Sequence, residues 1–92
     1  MGKRYFKVRI SNSMGYYDKF YEHFHDAILY IKQCSTKKIA MNVAYQARRL
    51  QNENGRISFP ALGNICTLES IEGTMPETAL YVQTYATKGA LV

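Results

Sequence analysis

Hydrophobic and polar positions alternate along residues 4–11, RYFKVRIS, with Phe6, Val8 and Ile10 on one side and Lys7, Arg9 and Ser11 on the other. A period of two with β-branched residues on the apolar side predicts a half-buried strand. The turn formers SNSMG follow, with Gly15 free to take a positive φ. In the next stretch, YYDKFYEHFHDAILYIKQC, the residues Tyr17, Phe20, Tyr21, Phe24, Ile28 and Ile31 recur at helical spacing, and Ala27 thickens the stripe. This predicts a helix whose surer half runs from His25 to Gln33. The aromatic run before it also fits a second strand, paired with the first across SNSMG.

Residues 39–50 carry two periods at once. Ile39, Met41, Val43, Tyr45 and Ala47 alternate as in a strand, while Ile39, Val43, Ala47 and Leu50, reinforced by Ala40 and Ala44, make a helical stripe. Residue propensity favours the helix. The alternation leading into NENG and then Arg56-Ile57-Ser58-Phe59 favours a hairpin, because Asn-Gly between strand-like runs is a strong turn signal. We favour the hairpin, with Leu50 as the residue that fits it worst.

Pro60, which lacks an amide donor, is expected to end that ladder, and ALGN to turn the chain. ICTLESI alternates Ile65, Thr67, Glu69 and Ile71 against Cys66, Leu68 and Ser70, a strand whose inward face the sequence leaves open. After the loop EGTMPE, TALYVQTYA reads as a last strand, with Leu80 and Val82 facing one way and Tyr81 and Tyr85 the other. Together these elements predict a single compact α+β domain over residues 1–92, a small antiparallel sheet of about four or five strands covered by one or two helices.

Composition narrows the function more than the fold. Apolar residues make up 47% of the 92 positions and charged residues 21%, the balance of a globular chain. No apolar run approaches the length of about 18 residues that a membrane helix needs. MGKRYFKVRI places charges where a signal peptide would be apolar, so a cytoplasmic location without membrane attachment is expected. Cys34 and Cys66 read as reduced core or boundary thiols.

Catalytic patterns are weak throughout. His23 and His25 lie two apart, a spacing at which side chains on a helix do not face each other, and no second cluster completes a metal site with Asp18, Glu22 or Asp26. Ser35 and Lys38 have Ser-x-x-Lys spacing without its supporting motifs, and read better as a capping serine followed by solvated lysines. Glu69, Glu72 and Glu77 lie in or near loops with no apolar pocket indicated, and Gly55 and Gly63 lack the spacing of a phosphate loop. The expectation is a non-enzymatic protein without metal or cofactor, with a small enzyme of unrecognised site as an alternative.

Charge supplies the positive clue. Residues 1–56 carry a net +7 and residues 57–92 a net −2, within an overall +5. Lys7 and Arg9 share the polar side of the first strand, and Lys37, Lys38, Arg48, Arg49 and Arg56 cluster in mid-chain. A hairpin at ARRLQNENGRISF would gather Arg48, Arg49 and Arg56 at its tip, where forked guanidinium donors suit anionic groups. With Tyr45, Tyr81 and Tyr85 as aromatic contacts, these residues form the candidate partner-binding set.

The reading is an adaptor or inhibitor that docks through a basic face on an acidic protein or nucleoprotein, as small viral accessory proteins do. Direct contact with DNA or RNA through residues 37–56 is the alternative. A homodimer that protects the C-terminal strand is also expected.

Overall fold

The computed structural model describes residues 3–76. Strand β1, Arg4–Asn12, forms where the alternation predicts and buries Phe6, Val8 and Ile10. It turns through Ser13 and Met14 into β2, Gly15–Tyr21, and the Asn12 side-chain oxygen accepts the Met14 amide at 2.8 Å to close the turn. The aromatic run 17–21 is therefore the second strand rather than the first half of a helix. Its helical spacing is incidental: Tyr17 and Tyr21 face the core while Asp18 and Phe20 lie on the other side of the pleat, in register with Arg9 and Lys7.

Helix α1, Phe24–Cys34, begins within a residue of the surer half of the expected helix and buries Ala27 and Ile31. Ser35 donates its hydroxyl to the Ile31 carbonyl at 2.7 Å, and Thr36 accepts the Ile39 amide at 3.1 Å as the N-cap of α2, Lys37–Gln46. A short 3₁₀ turn, Arg48–Gln51, continues it. Strands β3, Gly55–Ala61, and β4, Asn64–Glu72, follow. The four strands form one antiparallel sheet in the order β2-β1-β4-β3, an α+β fold.

The expected hairpin over residues 39–59 does not form. Strand pairing would bury Met41 and Tyr45 and leave Leu50 outside, whereas the helix and 3₁₀ turn bury Ala40, Val43, Ala47 and Leu50 together. Complete burial of one leucine is worth about 1.5–3 kcal/mol, more than the turn preference of Asn-Gly offers against it. Asn54 serves instead as a clamp: its Oδ1 accepts Arg4 Nη1 at 2.8 Å and the Glu72 amide at 3.1 Å.

The partner of β3 is β4, joined through Leu62 and Gly63, both at positive φ. Pro60 does not end the ladder but stays within β3, opposite Ile65. Among the described residues β3 is an edge of the sheet, so a missing amide on its other side costs no ladder bond. Strand β4 turns Cys66, Leu68 and Ser70 inward. The core lies between this face and the two helices. The expected last strand, with Leu80, Tyr81, Val82 and Tyr85, lies outside the described residues.

Candidate partner-binding surface

The sheet separates the cations into two sets on opposite sides of the molecule. Lys7 and Arg9 point away from the helices because Phe6, Val8 and Ile10 occupy the inner face of the same strand. Arg9 grips Asp18 across the β1–β2 pair, with Nε at 2.7 Å from Oδ1 and Nη2 at 2.9 Å from Oδ2. Its guanidinium also lies 3.9 Å from the centre of the Tyr16 ring. The hydrogen bond to Asp18 raises the Arg9 pKa, against the opposing effect of burial. Lys7 Nζ stands 3.2 Å from Glu69.

Arg56, on the edge strand, is in register with that same glutamate. Next to these groups the Ser58 and Thr67 hydroxyls are 2.9 Å apart. Lys7, Arg9, Asp18 and Glu69 thus satisfy one another, and the exposed Arg56 stands beside them on the outer sheet face without an ion pair among the described residues. Lys7 and Arg9, expected in the partner-binding set, are brought together with acids and with Arg56, and apart from Lys37, Lys38, Arg48 and Arg49. Arg56 is separated from Arg48 and Arg49, since no hairpin joins them.

The second set stands on the helical layer. Lys37 and Lys38 open α2, and Arg48 and Arg49 follow its end; all four are exposed, and among the described residues none pairs with an acid. Between them α2 presents Met41 and Tyr45, which are 62% and 74% exposed. A helix of this length spans roughly 15 Å, so two positive ends flank an apolar middle at the scale of one docking epitope. Tyr45 and Arg48 line one groove on this layer. Tyr81 and Tyr85 lie outside the described residues.

An open groove of about 540 Å³ runs between α1 and the end of α2. Phe24, Ile28 and Ala44 are half-buried along it, and His25, Tyr45 and Arg48 are exposed at its margins. No local pattern in the sequence marks this groove, because it forms only where two helices meet. His25 carries a signal in the sequence as a possible metal ligand or as a partner for the Cys34 thiol, and among the described residues no group of three or more histidines, cysteines or acids gathers where a metal could bind.

The remaining chemical candidates have structural surroundings. Ser35 is engaged with the Ile31 carbonyl, and Lys38 is exposed on α2. Cys66 is fully buried, and burial pushes its thiol up to about 12. Tyr30 is likewise pushed up, first by burial and then by its hydrogen bond to Cys34. Arg4, absent from the expected set, spans the Asn54 side chain, the buried Ser70 hydroxyl and the Asn52 carbonyl, and so fixes the loop that follows the 3₁₀ turn. Among the described residues no helix is long and apolar enough to cross a membrane. Comparison with protein-family models, with curated proteins and with solved structures finds no match for this chain.

Proposed function

We propose that this protein is a non-enzymatic interaction or inhibitor module that docks the exposed face of α2 and the 3₁₀ turn on an acidic protein surface. The observation that carries this reading is the placement of Lys37 and Lys38 in the first turn of α2, where no acid accompanies them. The positive end of a helix dipole disfavours cations by about 0.3–1 kcal/mol each. Two adjacent lysines at that end weaken their own helix, which is consistent with a role for their charge outside the fold. Arg48 and Arg49 extend the positive field past the other end, and Met41 with Tyr45 supplies apolar area that stays in solvent in the free chain.

Such a surface uses its charges to steer encounter and its apolar centre for affinity. The partner is therefore an acidic surface with an apolar depression at its middle. A bare phosphate backbone would engage the cations and leave Met41 and Tyr45 idle.

Affinity capture from an extract of the source cells, with and without nuclease, tests the proposal. A specific protein retained after nuclease and released by the combined variant Lys37→Glu, Lys38→Glu, Arg48→Glu, Arg49→Glu supports it. Recovery that disappears with nuclease transfers the surface to nucleic acid or a nucleoprotein. Recovery unchanged by the fourfold variant overturns the reading.

A further inference from the structure

The groove between α1 and α2 has a chemistry of its own. Its half-buried lining of Phe24, Ile28 and Ala44 is apolar, and a side chain larger than that of Ala44 would intrude on it. Arg48 stands at its margin with no acid among the described residues to neutralise it, next to the exposed Tyr45 hydroxyl and His25. A volume of about 540 Å³ lies within the range of roughly 300–1,000 Å³ typical of ligand clefts. An inorganic anion would use Arg48 and waste the apolar lining. Double-helical nucleic acid would do the same, since its bases are stacked and paired and do not enter the cleft.

We propose that this groove receives a short peptide segment of the partner in which a large apolar side chain lies within two residues of an aspartate or glutamate. The apolar side chain seats against Phe24, Ile28 and Ala44, while the carboxylate takes the forked guanidinium of Arg48 in a bidentate contact. The Tyr45 ring closes one side and its hydroxyl stays wet, as suits an amphipathic aromatic at an interface. This inference rests on the docking reading above and names the part of the acidic partner that enters the protein.

The experiment is selection of a phage-displayed random dodecapeptide library on the immobilised full chain, followed by fluorescence anisotropy of the enriched peptides. Enriched sequences should share a Phe, Tyr, Trp, Leu or Met within two positions of Asp or Glu. Ala44→Met, which fills the groove, should weaken the best peptide at least tenfold with the circular-dichroism spectrum unchanged. Arg48→Glu should weaken it as much, and should regain affinity for a peptide in which the acid is replaced by lysine, a rescue that a merely unfolded variant cannot give.

The inference is overturned if no peptide is enriched, if enriched peptides lack the acid, or if Ala44→Met changes affinity less than twofold. The two readings fail differently. Peptides lost with Lys37→Glu and Lys38→Glu but indifferent to Ala44→Met remove the groove and keep the basic face. Peptides lost with Ala44→Met but indifferent to every charge reversal, Arg48 included, remove the acidic partner and leave an apolar cleft.

Discussion

Arg9 and Asp18 hold each other in a two-pronged contact across the β1–β2 pair, yet they are unequally covered: the Asp18 side chain is 4% exposed and that of Arg9 36%. Removing either partner therefore has a different cost. Arg9→Ala leaves a buried carboxylate without its counter-ion and should cost about 3 kcal/mol. Asp18→Ala leaves a guanidinium that can swing into water and should cost about 1 kcal/mol. Urea denaturation of both variants checks the order, and equal costs would show that Asp18 finds other donors.

The lysines that open α2 should trade stability for binding. Lys37→Glu with Lys38→Glu places acids at the positive end of the helix dipole and should raise stability by about 1 kcal/mol in low salt, an effect that fades as salt screens it. The same variant should lose the partner. Thermal melts in low and high salt read the first half, and capture of the partner reads the second.

The turn between β3 and β4 has a suboptimal residue. Leu62 has φ 51° and is 66% exposed, so it occupies the left-handed region with only part of its side chain covered in return. Asparagine tolerates that conformation, and Asn-Gly is the preferred pair for a two-residue hairpin loop. Leu62→Asn should stabilise the protein by about 0.5–1 kcal/mol on the scale of compatible turn substitutions. A urea midpoint unchanged or lowered would contradict this.

Alkaline pH should unfold the chain through its buried thiol. Cys66 ionises near 9 when unperturbed, and burial, with a smaller contribution from Cys34, pushes it up to about 12 in the fold. Because the folded value is the higher one, the contribution is intact below pH 9 and is lost as pH rises from about 9 to 12. Tyr30, shifted the same way, adds to the same slope. The urea midpoint of the wild type should fall across that window more steeply than that of Cys66→Val. Iodoacetamide at neutral pH should reach the half-buried Cys34 well before Cys66.

Local pattern by itself determined β1, the later half of the first helical segment, the ALGN turn and the β4 strand, since each rests on interactions between residues close along the chain or on a clear alternation about one face. It determined the α+β class for the same reason. It also marked Lys37, Lys38, Arg48 and Arg49 as basic and unassigned, because charge is a property of the residue itself.

Tertiary structure decided what the pattern left double. Residues 39–50 satisfied both periods, and the choice fell to whichever arrangement let Ala40, Val43, Ala47 and Leu50 close on a sheet that the local window does not contain. The inward face of β4 waited on the same packing. So did the functional surface: Lys7 and Arg9 look as free as Lys37 in the sequence, and only strand register sets Glu69 and Asp18 beside them. The groove at Arg48 exists because two helices cross, and no run of neighbouring residues encodes that meeting. Contacts between distant residues have no local period, and they separated the cations that hold the sheet together from those that remain available to a partner.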